Sequence, residues 1–235
     1  MTPGATALAS GGKDSTYAAY LAETQGWTVD ELLVLDPADP DSMLFHTPNL
    51  ALVDLQAQAW GKRVRRVPVP QGSDGGEDRA LEAALAAAGP MVTAGAIASS
   101  FQWAALQRLC YRLGRRLYDP LWGKAPGRVV REEIAAGLDI RLVQLAAEPF
   151  DAALLGQRLD LRLLEELERR AREVRPVNVA GEGGEYETLV VDAPFFARRI
   201  ELVDSMAESR GGRHRLTVTH ARLVEKAAPP AGTSG

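Results

Sequence analysis

The sequence predicts an α/β fold, in which a parallel sheet with helices on both faces is followed by a smaller α+β domain. In the first half, short apolar segments alternate with segments of helical periodicity, as in strand–helix–strand units with right-handed crossovers. A glycine-rich turn joins the first apolar segment to the first helical one. The second half is less regular. We therefore expect one domain at 1–115, a second at 116–226, and a disordered tail of small, polar and proline residues at 227–235.

Four strands are expected in the first half, where short apolar runs end at or near glycine or proline. They are Thr6–Ala9, Glu31–Leu35, Arg63–Val69 and Met91–Ala94. Between them, the spacing of apolar residues predicts helices over Asp14–Thr24, Asn49–Trp60 and Glu77–Ala88. Ligands of parallel sheets bind outside the carboxyl ends of the strands, so the segments that follow these strands are the candidate site.

Helices in the second half are predicted at Phe101–Leu113 and Val129–Ala136, each followed directly by glycine. A third helix is expected after Asp160, a residue type that caps helices, and its apolar side chains share one face. Those side chains are Leu161, Leu164, Leu167, Ala171 and Val174. Strands are expected at Leu138–Leu145, Pro176–Ala180, Ile200–Val203 and Arg215–Leu223.

Composition argues against several classes of function. The chain has 235 residues and a net charge of −4, which disfavours direct nucleic-acid binding by bulk charge. It has one cysteine, Cys110, so an internal disulfide and a cysteine-rich metal site are excluded. No apolar segment is long enough for a signal core or a membrane span. We expect a cytoplasmic protein that does not contact membranes.

The segment Ser10–Thr16 reads Ser-Gly-Gly-Lys-Asp-Ser-Thr and lies between the first predicted strand and helix. Glycines let successive backbone N–H groups point at one anion, and the following helix adds the positive end of its dipole. The spacing is not that of a Walker A loop. The alternative is a glycine turn that starts the helix without a ligand. The residues expected to bind phosphate are Ser10, Gly11, Gly12, Lys13, Asp14, Ser15 and Thr16.

This loop resembles the pyrophosphate loop of N-type ATP pyrophosphatases, whose pattern is Ser-Gly-Gly-x-Asp-Ser. Further segments narrow the family: 45–49, 95–100, 119–123, 154–156 and 180–192. The last of these contains Gly-Glu-Gly-Gly-Glu-Tyr-Glu-Thr, a long and specific motif. Together and in this order, they resemble the diphthine–ammonia ligase family over about residues 5–222. The resemblance implies a Rossmann-like sheet of the adenine nucleotide α-hydrolase type.

The resemblance also implies an activity. The family uses ATP and ammonium to amidate diphthine, a modified histidine on translation elongation factor 2, and releases AMP and pyrophosphate. A carboxylate does not condense with ammonia unaided, whereas adenylation turns its oxygen into a good leaving group. Magnesium is expected to bridge the phosphates, and Asp14 is expected to orient the loop or this ion. The chain has no room for a glutaminase domain, so free ammonium is the simplest nitrogen source, and a homodimer is a further expectation.

Within this resemblance, Lys13, Asp14, Glu182, Glu185 and Glu187 are the expected catalytic residues. The three glutamates could attract ammonium, deprotonate it or hold a cation, and if they lay on a strand, Glu185 and Glu187 would share a face. The alternative is a solvated loop with turn glycines. Nucleotide contacts are expected from Asp36, Gly95 and Ser99, although Asp36 could equally form a turn and Gly95 could serve close packing. Substrate contacts are expected from His46, Asn49, Gln102, Trp122, Gly183 and Gly184.

One segment departs from the family. Basic residues are usual at positions 103 and 105, whereas this chain has Trp103-Ala104-Ala105. Arg108, one helical turn from position 105, could compensate, as could another arginine nearby. Two alternatives therefore stay open: an AMP-forming ligase acting on a small-molecule carboxylate, and a nucleotide-binding module without turnover.

Overall fold

The computed structural model describes residues 3–37, 49–70, 76–97, 100–146, 148, 150–174 and 176–226. At 76–77 and 100–102 only the backbone is described. His46, Ser99 and the predicted disordered tail at 227–235 lie outside the described residues, and the side chain of Gln102 is likewise not described.

The first sheet has five parallel strands in the order β3-β2-β1-β4-β5. The strands are β1 (Gly4–Leu8), β2 (Thr28–Pro37), β3 (Arg63–Val69), β4 (Met91–Thr93) and β5 (Arg116–Tyr118). The connecting helices are α1 (Lys13–Thr24), α2 (Val53–Trp60), α3 (Gly76–Ala86) and α4 (Ser100–Arg112). The strand order reverses between β1 and β4, which is the point where open parallel sheets bind ligands.

The second sheet has four antiparallel strands in the order β7-β6-β9-β8. They are β6 (Asp139–Leu145), β7 (Tyr186–Asp192), β8 (Arg198–Arg210) and β9 (Arg213–Glu225). Helices α5 (Pro126–Ala135) and α6 (Leu161–Glu173) accompany this sheet. The predicted combination of a parallel sheet with a smaller α+β domain is confirmed. Among the described residues, no helix is long and apolar enough to cross a membrane.

A shared core joins the two parts. Tyr17 and Ala18 of α1 belong to the same buried cluster as Leu142, Val190 and Phe196 of the second part. The backbone is joined as well, because the Val190 N–H donates to the Gly11 carbonyl at 3.0 Å. The helix that starts at the candidate phosphate loop is therefore packed between the two sheets.

The predicted helix after Asp160 is confirmed. The Asp160 carboxylate accepts a hydrogen bond from the Leu163 N–H at 2.9 Å and satisfies an amide that the helix itself leaves unpaired. The buried face consists of Leu164, Leu167 and Ala171. Leu161 and Val174, expected on the same face, lie at the two ends of the helix and are exposed.

Three segments differ from expectation. The strand predicted at Pro176–Ala180 is wrong: the Asn178 side chain accepts the Ala180 N–H at 2.9 Å and turns the chain. Strands β5 and β7 were not predicted, β5 because three residues carry little periodicity and β7 because it begins inside the glycine motif. The structure pairs β5 with β4 in the first sheet, so the division expected between residues 115 and 116 falls just before that strand.

Candidate active site

The loop between β1 and α1 forms a closed turn at the carboxyl end of the first sheet. Gly11 has a φ of +82°, a backbone conformation that residues other than glycine rarely adopt. The Ser15 hydroxyl accepts the Ser10 N–H at 3.2 Å and lies 3.1 Å from the Ser10 hydroxyl. Gly12, at the N-cap of α1, gives the helix no side-chain cap. The Gly12 and Lys13 N–H groups are bound by the hydroxyls of Ser10 and Thr188. The first turn of α1 can therefore offer an anion its remaining N–H groups and the positive end of the helix dipole.

Gly95 allows the end of β4 to pass directly over this loop. A Cβ at position 95 would lie 2.6 Å from the carbonyl carbon and oxygen of Asp14 and 2.8 Å from the Ser15 nitrogen. Backbone atoms on both sides leave no room for a side chain. Close packing, one of the two roles considered for Gly95, is thus observed, and the residue also lines the cavity described below.

Two side chains that are remote in sequence hold the loop in place through hydrogen bonds. The Gln56 amide donates to the carbonyl oxygens of Gly11 at 2.8 Å and Val190 at 2.7 Å. The Thr188 hydroxyl accepts the Lys13 N–H at 3.1 Å. Sequence reasoning missed both supports. The sequence did carry a signal for Gln56, because it is a polar residue among apolar residues in a predicted helix. In the structure, Gln56 is 3% exposed.

A cavity of about 480 Å³ opens over the loop. Its polar wall includes Ser10, Asp14, Ser15, Glu182 and Glu187, and its apolar wall includes Leu33, Leu35, Leu81 and Leu106. An elongated ligand with one charged end and one apolar end suits such a cavity.

Lys13 is almost completely enclosed, with an exposed fraction of 1%. Its ammonium donates to both carboxylate oxygens of Asp14, at 2.8 and 2.7 Å, and lies 3.9 Å from Oε2 of Glu133. It also lies 5.8 Å from the centre of the Tyr186 ring. Burial opposes the charged form, but the nearby acidic groups Asp14 and Glu133 outweigh it and raise the pKa of Lys13. The site therefore contains a permanent, nearly buried cation.

Glu133 of α5 was not predicted as a site residue. Its side chain is fully buried on the same helix face as Val129 and Val130. Burial raises the pKa of Glu133 well above its ordinary range, the Lys13 charge opposes this, and the Asp14 charge adds to it. The signal in the sequence was a glutamate placed four residues after Val129, on the apolar side of the helix.

The three glutamates of the glycine motif have different surroundings. Glu182 accepts a hydrogen bond from the Ile97 N–H and lines the cavity. Glu187 also lines the cavity; burial raises its pKa to about 7, the Lys13 charge opposes this, and Asp14 and Glu185 add to it. Glu185 precedes β7 and accepts the N–H groups of Asn178 at 2.9 Å and Gly183 at 2.8 Å. The structure thus brings two of the three carboxyl groups to the cavity and uses the third to hold the turn.

The turn itself requires glycine at two positions. Gly181 has a φ of +80° and Gly184 a φ of +78°. A Cβ on Gly181 would also lie 2.8 Å from the Tyr186 carbonyl oxygen. Gly183 is exposed beside Glu185. Gly183 and Gly184, expected to contact substrate, therefore lie in the turn that places Glu182 and Glu187.

An aromatic pair and a buried acid lie near the ends of β4 and β5. Trp122 stacks on Trp103, with ring centres 4.8 Å apart and planes at 11°, and Trp103 lines the cavity. Asp119 follows β5, and neither of its buried oxygens has a hydrogen bond of good geometry within the described residues. Burial raises the pKa of Asp119 to about 7, with the Leu121 amide opposing and Glu182 adding to the rise. Asp119 is a second acidic group that sequence reasoning did not single out.

Three further predicted contact residues do not line the cavity. Asp36 is half exposed and pairs with Arg66 at 3.5 Å. The Asn49 side chain donates to the Leu216 carbonyl at 2.9 Å and accepts the Val218 N–H at 2.6 Å, so it joins the start of α2 to β9. Thr16 is buried within α1.

The arginines near the Trp103 segment differ in their surroundings. Arg108 lines the cavity. Arg112 pairs with Glu82 at 2.9 Å, and Arg115 donates to the Ala86 carbonyl at 2.7 Å. Arg108 is therefore the arginine in the best position to replace the missing basic residues. In the part of the chain that the structure covers, no group of three or more His, Cys, Asp or Glu could hold a metal ion.

A parallel sheet whose first strand leads through a Ser-Gly-Gly loop into a helix, beneath a cavity completed by a second domain, defines a nucleotide-binding protein of the pyrophosphate-loop class. Comparison with known proteins identifies the family. Residues 4–117 match the diphthamide synthase N-terminal domain, and residues 126–224 match the diphthamide synthase C-terminal domain. The chain therefore belongs to the diphthamide synthase family.

Relatives agree with this assignment. A diphthine–ammonia ligase of Bos taurus is 31% identical over 244 residues, covering 93% of this chain and 90% of that protein. The Homo sapiens diphthine–ammonia ligase is 30% identical, covering 85% and 82%, and that of Danio rerio is 30% identical, covering 82% and 84%. A solved structure from Methanocaldococcus jannaschii, titled a predicted subunit of tRNA methyltransferase, aligns with a TM-score of 0.45 and 15% sequence identity. The alignment covers 82% of this chain and 98% of that chain, and the likeness is too remote to bear on function.

Proposed function

We propose that this protein is a diphthine–ammonia ligase. It uses ATP to activate the carboxylate of diphthine on translation elongation factor 2, transfers the activated acyl group to ammonia, and releases AMP and pyrophosphate. The observation that carries the proposal is the Ser-Gly-Gly loop at the start of α1, whose Ser10 and Ser15 line a cavity together with Glu182 and Glu187. ATP use follows from membership of the family.

The cavity suits the two ends of ATP. The N–H groups of α1, with the Ser10 and Ser15 hydroxyls and the Lys13 charge, form the phosphate end. Leu33, Leu35 and Leu106 provide an apolar surface for the adenine ring. As pyrophosphate leaves, negative charge develops at the phosphate end, where the fixed dipoles and Lys13 stabilise it.

Magnesium fits the same end. Asp14 offers a hard oxygen donor at the cavity, with a side chain that is 26% exposed. Mg²⁺ in phosphate sites needs only one or two carboxylates, because substrate phosphates and water supply its other ligands. When bound, the ion would neutralise phosphate charge and favour departure of pyrophosphate. Asp14 would hold it.

The acidic side of the cavity suits ammonium. Glu182 and Glu187 place acidic groups on the wall of the cavity, which would draw in a cation. Amide formation from an acyl adenylate and ammonium releases two protons. Because the pKa of Glu187 is raised to about 7, this carboxylate is a stronger base than an ordinary glutamate and can accept one of them. Glu185 supports this function indirectly, through the turn.

The acceptor is attached to a protein, so elongation factor 2 is the proposed partner. We also propose a cytoplasmic location, where that factor acts, and a homodimer, which sedimentation analysis would test. Direct nucleic-acid binding is not part of the proposal. The net charge of −4 provides little attraction for phosphate backbones.

The test combines two readouts in one reaction. The purified protein is incubated with magnesium-ATP, ammonium and elongation factor 2 that carries diphthine. The expected result is AMP formation matched by the mass change of one carboxylic acid becoming an amide. AMP formation only with a small carboxylate would indicate the alternative ligase. Retained ATP binding without any AMP would indicate a nucleotide-binding module. Either outcome contradicts the proposal.

A further inference from the structure

Glu133 extends from the second part of the protein to the phosphate loop of the first. It lies on α5, within the C-terminal family domain, yet its Oε2 atom is 3.9 Å from the ammonium of Lys13. The side chain has an exposed fraction of 0%. Within the described residues, neither carboxyl oxygen has a hydrogen bond of good geometry, although Asp14 lies close enough to raise the pKa of Glu133. Its polar surroundings are therefore set mainly by Lys13 and the adjacent Asp14.

A residue that only filled this space would be apolar. The neighbouring side chains on the same face, Val129 and Val130, are both fully buried and apolar. Burial of a carboxyl group without hydrogen bonds is unfavourable unless a charged partner compensates. Lys13 is the nearby cation, and the pair is almost completely removed from water.

The Lys13 ammonium needs a second carboxyl group, besides that of Asp14, to hold it in one position. A lysine side chain has several rotatable bonds, so its ammonium stays in one place only where acceptors hold it. Asp14 binds the ammonium with both carboxylate oxygens, but Asp14 also faces the cavity. A bound nucleotide with its metal ion would compete for that carboxylate. Glu133 contacts the ammonium from inside the protein, where no ligand reaches.

We propose that Glu133 is a positioning residue for nucleotide binding, which holds the Lys13 ammonium under the phosphate loop. It acts through Lys13 and does not touch the nucleotide. This inference rests on the nucleotide part of the proposed function and is independent of the acceptor.

The experiment is a double-mutant cycle read by calorimetric titration with a non-hydrolysable ATP analogue and magnesium. The proteins are the wild type, Glu133→Leu, Lys13→Ala and the double variant. Removal of the buried carboxyl group that lies 3.9 Å from the Lys13 ammonium predicts that Glu133→Leu weakens binding by about tenfold or more. In the Lys13→Ala background, the same change is expected to have little further effect, because the residue acts through Lys13.

Two further variants separate positioning from a general structural role. Glu133→Gln keeps the size and one carbonyl oxygen, and is expected to bind the analogue within about threefold of the wild type. Glu132→Gln, whose parent residue pairs with Lys124 and Arg128 outside the cavity, is the matched control and leaves binding unchanged. In steady-state assays, Glu133→Leu is expected to raise the KM for ATP more than it lowers kcat.

Full affinity in folded Glu133→Leu protein, or an equal loss in the presence and absence of Lys13, would overturn the inference. If Glu133→Leu does not fold, Glu133→Met replaces it, because its unbranched chain follows the same path. Failure of the wild type to bind the analogue would overturn the proposed function as well. If the wild type binds the analogue but does not amidate elongation factor 2, that result contradicts the proposed acceptor and leaves the inference about Glu133 standing.

Discussion

The backbone N–H of Lys13 donates a hydrogen bond to the hydroxyl of Thr188, although 175 residues separate them. The bond is buried and lies where α1 begins. One end belongs to the phosphate loop and the other to β7, directly after Glu187. The position of the loop and the position of the acidic motif are therefore coupled.

This bond predicts a difference between two substitutions at Thr188. Thr188→Val keeps the shape but leaves the Lys13 N–H without its acceptor, at an expected loss of about 1–3 kcal/mol in the free energy of unfolding. Thr188→Ser keeps the acceptor and should cost less. Urea unfolding of both variants measures the difference. Equal stabilities would show that the hydroxyl does not support the loop.

Gly95→Ala should disturb the start of α1. The new Cβ would lie 2.6 Å from the Asp14 carbonyl, so the backbone must shift, at an expected cost of about 1–3 kcal/mol. Affinity for the ATP analogue should fall with it. Gly89→Ala is the matched control, because its Cβ would meet no atom closer than 3.4 Å. Thermal unfolding and titration compare the two, and similar behaviour would contradict the prediction.

Glu187 predicts a pH dependence of stability. Burial raises its pKa from 4.5 to about 7, so between these values the folded state binds more protons than the unfolded state. Stability contributed by neutral Glu187 is therefore present at low pH and lost as the pH rises through about 7. Relative to Glu187→Gln, the wild type should lose about 3 kcal/mol as the pH rises from 4.5 to about 7. Urea unfolding at several pH values tests this, and parallel curves for the two proteins would refute it.

Glu185→Gln should loosen the turn that carries the acidic motif. The carboxylate accepts from both Asn178 and Gly183, whereas an amide has one carbonyl oxygen for the two donors. Hydrogen exchange at these two N–H groups should accelerate, and AMP formation should fall with it. Unchanged exchange together with lost activity would instead indicate a direct chemical role for Glu185.

Arg108→Ala should weaken ligand binding more than Arg112→Ala. Arg108 lines the cavity, whereas Arg112 pairs with Glu82 on the surface. The expected effect is about fivefold to tenfold in the KM for ATP or for the modified elongation factor. The substrate whose KM changes identifies which end of the cavity Arg108 serves. If neither KM changes, Arg108 does not compensate for the basic residues that are missing at positions 103 and 105.

Much of the site was predictable because it depends on local chemistry. The glycines and hydroxyls of the phosphate loop imply an anion site wherever they lie between a strand and a helix. Asp160 caps α6 by the interaction its residue type predicts. Strand β3 has the predicted bounds, because Pro70 ends it in the sequence as in the structure.

The remaining features depend on contacts between distant segments. No spacing in the sequence places Glu133 beside Lys13, since that contact requires α5 to pack on α1. Glu185 and Glu187 would share a face if both lay on a strand, but β7 begins only at Tyr186, so Glu185 lies outside it. The strand expected at Pro176–Ala180 was overridden by the side-chain hydrogen bond of Asn178.

The shared core around α1 has a consequence for synthesis on the ribosome. Tyr17 is made early, yet its buried cluster includes Phe196 from near the other end of the chain. Contacts of such large sequence separation form late and slowly. The emerging N-terminal segment must therefore wait, with part of its apolar surface uncovered, until Phe196 has left the exit tunnel. Chaperone binding to the nascent chain is expected during that interval.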